Sequence, residues 1–339
     1  MIEKQFEELK HSGQLPSPTG VGLEILRLLQ EPDEPLDELI QCIRVDPALT
    51  GRIIKIASAA AITRSVPVST VQEAAVRLGF RAVSNVALGF SLVAGSREGA
   101  CAEFDYDRYW SHSLAMAVAC QVFSAHLRVG NPHECFTLGL LGRVGELALA
   151  SVHPGLYGEV LSSTRENPTL DVLRVETEAF NINQREVTSF MLMDWGLPAT
   201  FSQTVELLGH EKPGIEDAEV LGMLKVLRCA WKVADFCTAD SKAQQDILSQ
   251  LQVAAEAAGL TGDDVQQLGA VIATHWREWG ETLKVETAEV PKMVPVALTG
   301  ADGRKEQVRI LAVDDDRVAL KLLAKKTTAE SSAAFTGAM

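Results

Sequence analysis

The sequence predicts an all-α protein with a sizeable hydrophobic core. Apolar residues recur at helical spacing from the N-terminus to about residue 285, and the strict alternation that marks a half-buried β-strand is scarce. The chain has 339 residues, of which 47% are hydrophobic, so it is long enough for one large or two ordinary domains. We therefore expect a globular bundle of many helices.

The first helices are bounded by local stop and start signals. A charged, amphipathic helix is predicted within residues 1–14, and a proline-containing break at residues 15–18 precedes a core helix that starts at Val21. Asp46 supplies an N-cap for a further helix, and Pro47 occupies its first position, where a missing amide hydrogen costs nothing. The N-terminal region is therefore predicted as a series of core-facing helices.

A glycine separates the next two helices. Residues 70–73, with the sequence Thr-Val-Gln-Glu, have capping-box spacing, in which the hydroxyl and the carboxylate each satisfy an orphan backbone donor. Gly79 then ends a short helix, because glycine tolerates the left-handed conformation that helix C-termini favour. Residues 80–93 are therefore predicted to form a separate helix at an angle to the first.

The same signals divide the rest of the helical region, in which no internal repeat period is evident. Further helices are predicted at residues 106–128, 132–151, 169–180, 184–195, 198–208, 217–236, 241–258 and 263–285. Residues 286–307 contain two prolines and two glycines, and they are predicted to be a linker rather than a packed element.

Composition narrows the classes of partner and compartment. The formal net charge is −14, whereas a nucleic-acid-binding surface needs clustered Lys and Arg, so we expect no nucleic-acid partner. The longest nearly apolar stretch, residues 82–95, is shorter than the roughly 20 residues that a membrane span needs. Six cysteines lack the short spacing of a zinc knuckle or a redox pair. These features predict a cytoplasmic protein with reduced thiols that does not enter a membrane.

Three segments occur in the order and spacing of a known family. They are Leu15-Pro16-Ser17-Pro18, Asp46-Pro47-Ala48-Leu49-Thr50 and Ala74-Ala75-Val76-Arg77-Leu78-Gly79. Together they resemble the HDOD family of signal-transduction output domains, over roughly residues 15–210. The resemblance implies an N-terminal helical subdomain over residues 15–100, an HD-like part over residues 101–210 and a helical extension over residues 211–285 that packs on the HD-like part.

The HD-like part resembles HD-superfamily phosphohydrolases, in which His and Asp side chains from several helices hold one or two metal ions. Such ions lower the pKa of a bound water and supply a hydroxide nucleophile. Active members carry an adjacent His-Asp pair on one helix, and Gly142 and Arg143 stand at that position here. Because a guanidinium cannot ligate a metal and repels one electrostatically, the resemblance implies a degenerate site.

Three other residues match positions of metal ligands in that superfamily, namely His112, His210 and Asp235. They are vestigial candidates, because three remaining ligands without the central pair make an incomplete metal site. For His112 the alternative is an ordinary hydrogen-bonded residue on an amphipathic helix. We therefore expect no catalytic residue, no bound cofactor and no metal ion.

The C-terminal segment has a different period from the helical body. Residues 308–313 form a short apolar run of the kind that predicts a β-strand. Residues 310–317 resemble the start of a response-regulator receiver domain, in which acidic residues such as Asp314 and Asp315 help to bind Mg²⁺. Only 23 residues follow the acidic run, whereas a βαβ unit needs about 30. Residues 308–339 are therefore predicted to be a truncated strand-plus-helix fragment with a disordered tail, in which these carboxylates bind nothing tightly.

Four tryptophans leave two interpretations open. Trp195, Trp231, Trp276 and Trp279 could present an aromatic surface to a partner or could fill the core. Core packing is favoured, since the last two are three residues apart and share one face of a helix.

The resemblance implies a function as well as a fold. It implies a non-enzymatic bacterial signalling module, active in two-component signal transduction, that serves as a protein-interaction scaffold or output domain. The alternative is a residual metal-dependent phosphohydrolase or phosphodiesterase that acts on nucleotides or cyclic dinucleotides through His112, His210 and Asp235. The expected partners are signalling proteins, with a homodimer allowed, and the acidic charge favours basic partner surfaces.

Overall fold

A computed structural model describes residues 2–18, 20–31, 33–59, 68–210, 213–290 and 293. All regular structure in this part of the chain is helical, which confirms the predicted all-α class. Its α-helices are α1 (Ile2–His11), α2 (Val21–Leu29), α3 (Leu36–Arg44), α4 (Pro47–Ala59), α5 (Val71–Leu78), α6 (Phe80–Gly95), α7 (Tyr106–Leu127), α8 (Pro132–Leu141), α9 (Val144–Val152), α10 (Pro154–Glu166), α11 (Val172–Phe180), α12 (Gln184–Asp194), α13 (Ala199–Glu206), α14 (Ala218–Thr238), α15 (Gln244–Ala258) and α16 (Gly262–Leu283).

The predicted receiver-like fragment lies outside the described residues. This holds for the strand at residues 308–313, for the acidic residues Asp314 and Asp315, and for the rest of residues 308–339. The structure therefore lends this part of the predicted fold no support.

The predicted boundary between α5 and α6 is confirmed at atomic detail. The Glu73 amide donates to Thr70 Oγ1 at 3.1 Å, and the Glu73 carboxylate accepts from the Thr70 amide, which completes the capping box. Gly79 has a φ of 87°, a value that favours glycine, and the two helices meet at an angle of 119°. A single glycine thus turns the chain between two helices of the N-terminal region.

Helix α7 forms the centre of the core, and α8, α14 and α16 all pack against it. Gly139 of α8 makes the closest approach, because a Cβ built on it would lie 2.6 Å from the Met116 carbonyl oxygen and 2.7 Å from the Ala117 Cα. On another side of α7, the indole of Trp276 donates to the Ser111 carbonyl at 3.0 Å. Helices that are far apart in the sequence are thus fixed against one central helix.

The N-terminal helices are joined to α16 by polar contacts. Lys55 of α4 donates to the Glu278 carbonyl at 2.9 Å, and its ammonium lies 4.9 Å from the centre of the Trp279 ring. Arg97, just after α6, donates to the Lys284 carbonyl at 2.7 Å, where α16 has ended. The Arg97 contact satisfies a carbonyl group at the C-terminus of α16, where intrahelical partners are missing.

The N-terminal helix packs on α12 rather than standing alone. Phe6 stacks on Phe190 with ring centroids 5.1 Å apart, and Lys10 forms an ion pair with Asp194. Phe6 and Leu9 are the buried residues of α1. The predicted amphipathic helix therefore buries its apolar side against the HD-like half of the chain.

Two helices were not expected, and one predicted helix is broken. These two helices are α3, which follows Pro35, and α10, which follows His153. The apolar periodicity of α10 is weak, because this helix buries only Tyr157, Gly158 and Val160. The helix predicted at residues 132–151 is interrupted after α8, because Arg143 leaves the helical region with φ −125° and ψ 13°. The interruption falls at Gly142 and Arg143, the two residues that the resemblance places at the position of the His-Asp pair.

The first residues of the predicted linker lie against α16. The chain reverses at Lys284, where φ is 56°, and Val285 and Met293 are buried. Two glycines of α16 make room: a Cβ on Gly280 would lie 2.9 Å from the Val285 carbonyl oxygen, and one on Gly269 would lie 2.6 Å from the Met293 sulfur. Prolines and glycines in residues 286–307 favoured a linker, but composition does not reveal a neighbouring helix that can accept the segment.

One apolar stretch of the described chain, residues 132–152, is long enough to cross a membrane by length and composition, and 83% of its most apolar window is buried, as in a core helix.

All six cysteines are free thiols, in agreement with the absence of paired spacing. Three of the four tryptophans discussed above are buried as expected, whereas Trp231 is half-buried.

Candidate functional site

Helices α7 and α14 bring two of the vestigial candidates together. His112 Nε2 lies 3.0 Å from Asp235 Oδ1, although the residues are 123 positions apart in the sequence. The other oxygen of Asp235 accepts from Lys232 at 3.1 Å. The sequence pattern therefore selected a histidine and an aspartate that form one hydrogen-bonded pair.

The third candidate is not part of this arrangement. His210 follows the 3-10 turn Leu207–Gly209, its side chain is exposed, and its backbone carbonyl accepts from Arg228. It is not among the residues that line the cavity beside His112. The vestigial set of three is thus a pair in the structure, and His210 lies elsewhere.

Arg143, which the resemblance places at the position of the aspartate of the His-Asp pair, forms an ion pair with Glu146. Its guanidinium donates to both oxygens of Glu146, from Nε at 2.7 Å and from Nη2 at 2.6 Å. The same group lies 5.5 Å from the centre of the Tyr109 ring and 5.3 Å from the nearest ring centre of Trp231. Only 15% of the Arg143 side chain and 10% of the Glu146 side chain are exposed. A buried, bidentate ion pair therefore stands between the ends of α8 and α9.

Gly142 is closely confined at the end of α8. A Cβ built on it would lie 2.8 Å from the Leu138 carbonyl oxygen, which is closer than side chains in proteins come to backbone atoms. A histidine at this position would require the backbone to shift. At Gly142, where the resemblance places the histidine of the His-Asp pair, the backbone therefore leaves too little room for a Cβ atom.

The surroundings of the His112–Asp235 pair determine the protonation state of the histidine ring. Burial, together with the neighbouring positive charge of Arg143, lowers the pKa of His112 to about 4, although Asp235 opposes the shift. Burial alone would raise the pKa of Asp235, but the contacts with His112 and Lys232 hold it below its usual range. The ring is therefore neutral at physiological pH, and because a carboxylate can only accept, its proton is on Nε2.

These residues do not fit a divalent metal ion. His112 Nε2 and both oxygens of Asp235 are occupied by hydrogen bonds, and the cationic Arg143 lies next to them. Across the described ranges, no three His, Cys, Asp or Glu side chains converge in a way that could hold a metal. The positive charge at this place is instead the Arg143 guanidinium, which pairs with the buried carboxylate of Glu146.

A second buried carboxyl group lies close to this ion pair and was not found from the sequence. Glu176 of α11 is fully buried, where it accepts from the Gln184 amide at 2.8 Å and from the Tyr157 hydroxyl at 3.3 Å. Burial, reinforced by the nearby Glu146 carboxylate, raises the pKa of Glu176 to about 8. A glutamate at a helix position next to exposed residues carries no local signal that it will be buried.

We expect Glu176→Gln to remove a pH dependence of stability. An acid with a raised folded pKa stabilises the protein fully below its unfolded value of 4.5, and this contribution is lost as the pH rises towards about 8. The neutral amide should change the free energy of unfolding little at pH 5 and increase it by about 2 kcal/mol at pH 8. Urea unfolding at both pH values measures this difference. The exposed Glu166→Gln is the control, and an equal effect of both variants at pH 8 would show that Glu176 is ionised when folded.

A cavity of about 290 Å³ adjoins the site. Its wall includes Tyr109, His112, Arg143, Trp231 and Asp235, so both the hydrogen-bonded pair and the ion pair contribute to it. The ring centres of His112 and Trp231 are 5.6 Å apart in an edge-on arrangement. The volume lies near the lower end of the range for small-molecule pockets, about 300–1,000 Å³.

The described part of the chain is an all-α domain in which α7 and α14 bring a His–Asp pair together beside the α8–α9 junction. The family model of the HDOD domain matches residues 15–213, which is more than half of the chain. The chain therefore belongs to the HDOD family, as the resemblance in its sequence predicted.

The chain is also similar to several solved structures. The chain is 36% identical to the MmoQ response regulator of Methylococcus capsulatus, over 75% of this chain and 97% of that one, with a TM-score of 0.47. An HDOD domain protein of Geobacter sulfurreducens has 17% identity and a TM-score of 0.56, over 84% of this chain and 98% of that one. A Shewanella amazonensis protein, provisionally named a phosphohydrolase, has 22% identity and a TM-score of 0.60, over 81% and 97%. The latter two show a shared fold.

A curated relative from Treponema pallidum is 24% identical over 200 residues. The match covers 57% of this chain and 36% of that protein, so the chain spans about a third of the length of this relative.

Proposed function

We propose that this protein is a non-enzymatic signal-transduction module that acts by binding other signalling proteins. The observation that carries the proposal is the bidentate pair of Arg143 and Glu146 at the position where a hydrolase would hold its metal. A metal-dependent hydrolase needs an open coordination site to activate water. A guanidinium supplies positive charge but cannot activate water as a Lewis acid does, so Arg143 cannot take the part of a metal ligand or of a metal ion in hydrolysis.

The likeness to a response regulator supports a signalling role for this chain. The MmoQ protein carries that name, and this chain is similar to almost its full length. We extend the proposal to basic protein surfaces as the preferred partners, because the net charge is −14. We further propose a cytoplasmic location, a homodimer as a candidate assembly, and a receiver-like start at residues 310–317.

Residual hydrolysis is the second candidate, and one observation favours it. His112 and Asp235, two matches to superfamily ligands, lie within 3.0 Å of each other. In this candidate the pair would be the remnant of a metal centre. The donors that would have to complete that centre do not converge among the described residues, which is why the scaffold role is the better supported one.

The proposal predicts that the purified protein holds no stoichiometric transition metal and hydrolyses no phosphodiester. Elemental analysis after growth with Mn, Fe and Zn, together with assays on bis-p-nitrophenyl phosphate and cyclic dinucleotides, tests both statements. We expect metal well below one equivalent and no turnover above buffer. Stoichiometric metal with turnover that disappears in His112→Ala would overturn the scaffold role and establish the hydrolase. The exposed His210→Ala serves as the matched control.

A further inference from the structure

The wall of the 290 Å³ cavity contains hydrogen-bonding capacity that the protein does not use. The Tyr109 hydroxyl and His112 Nδ1 are buried, and neither forms a hydrogen bond of normal geometry within the described part of the chain. The Ser113 hydroxyl, which lies near that of Tyr109, likewise forms none. Tyr109 and His112 are 3% and 6% exposed and lie one turn apart on α7. Buried polar groups are nearly always paired in folded proteins, so two such groups at one cavity indicate a missing partner.

The wall also offers a third polar group. Nε and Nη2 of Arg143 are bonded to Glu146, whereas its Nη1 makes no hydrogen bond with the described residues. Because Nε2 of His112 donates to Asp235, its Nδ1 can only accept. The buried residues of the wall therefore have two unused donors, the Tyr109 hydroxyl and Arg143 Nη1, and one unused acceptor, His112 Nδ1.

The formal charges of the cavity wall balance once Lys232, which pairs with Asp235, is counted. The wall contains three arginines and four carboxylates, namely Arg108, Arg143, Arg165, Glu103, Asp105, Glu146 and Asp235. A charged ligand would gain little there and would lose its hydration. The half-buried indole of Trp231 supplies a flat apolar surface beside these groups.

We infer that this cavity binds a neutral, planar ligand with an imide edge, in which one N–H lies beside two carbonyl groups, as in uracil. The carbonyl oxygens would accept from Tyr109 and Arg143, and the N–H would donate to His112. Both buried atoms are closed to solvent, so binding requires a small side-chain adjustment of the wall, which is common on complex formation. The inference rests on the proposed function, because it needs a site that is free of metal and turnover.

Calorimetric titration of the full chain with uracil tests the inference. The comparison ligand is 1,3-dimethyluracil, which keeps the ring and both carbonyl groups but carries methyl groups in place of both N–H groups, including the imide one. We expect saturable binding of uracil and at least tenfold weaker binding of the dimethyl compound. Tyr109→Phe should weaken uracil binding about fivefold. Tyr106→Phe is the control, because it removes a hydroxyl from the same helix at a residue outside the cavity wall.

The ¹⁵N resonance of His112 Nδ1, assigned with a His112→Gln variant, gives a second readout that does not depend on the fate of the tyrosine variants. We expect it to shift on addition of uracil and to stay unchanged with the dimethyl compound. Absence of uracil binding, equal binding of both ligands, or equal effects of the two tyrosine variants would overturn the inference. None of these results would bear on the absence of hydrolysis, which is measured separately by turnover.

Discussion

Replacing Arg143 by alanine is expected to lower the free energy of unfolding by about 3 kcal/mol, because the Glu146 carboxylate would remain buried without a countercharge. The two side chains are 15% and 10% exposed, so water screens the remaining charge poorly. Loss of the contacts with the Tyr109 and Trp231 rings adds to the effect. Urea unfolding followed by circular dichroism measures the change as a lower midpoint with a similar slope.

Two comparisons separate the charge effect from a loss of packing. The double variant Arg143→Met with Glu146→Leu removes both charges and should lie within about 1 kcal/mol of the natural protein. Arg174→Ala breaks an exposed pair with Glu178 and should cost less than about 0.5 kcal/mol. If Arg143→Ala cost no more than Arg174→Ala, the guanidinium would not be the structural cation of the site.

Gly139→Ala is expected to destabilise the protein by about 2–3 kcal/mol, because the added methyl group meets backbone atoms of α7 that cannot move independently. The expected response is a wider separation of α7 and α8. His112 lies on α7 and Arg143 follows the end of α8, so the site should be distorted together with the core. Thermal unfolding measures the loss of stability, and the ¹⁵N resonances of His112 report the change at the site.

Gly51→Ala is the matched control for this substitution. Gly51 is also inside a helix, α4, but it is exposed and nothing lies within 4 Å of a Cβ built on it. Alanine should stabilise the protein there by about 0.5–1 kcal/mol through its higher helix propensity. The same chemical change should therefore have opposite signs at the two positions. A stabilising effect at Gly139 would mean that α7 and α8 are farther apart than the structure places them.

Local signals were sufficient for the fold class and for several boundaries. The capping box at Thr70 and the turn at Gly79 depend on residues within one helical turn, so the sequence could predict both. The break at Gly142 and Arg143 was expected as an altered motif but not as the end of a helix. The apolar periodicity of the sequence continues through that junction, whereas the backbone of Arg143 departs from helical geometry.

Part of the candidate site also followed from the sequence. His112 and Asp235 were selected as positions in a resemblance, and the structure places them 3.0 Å apart. His210 was selected in the same way and lies elsewhere. A motif match assigns each residue to a position in the sequence, but the packing of the segment that carries the residue decides whether its side chain reaches a shared cavity.

By itself, the sequence determined that the chain is helical and that it belongs to the HDOD family, and it led to the prediction that Arg143 stands where the resemblance places a metal-binding aspartate. Only the tertiary structure decided that Glu146 holds this arginine, that Glu176 is buried nearby and that a cavity adjoins them. The physical reason is that helical periodicity records which residues face inward, whereas burial of a charge depends on neighbours from other helices. Those neighbours are fixed by packing between distant segments, as at Gly139, and not by any local pattern.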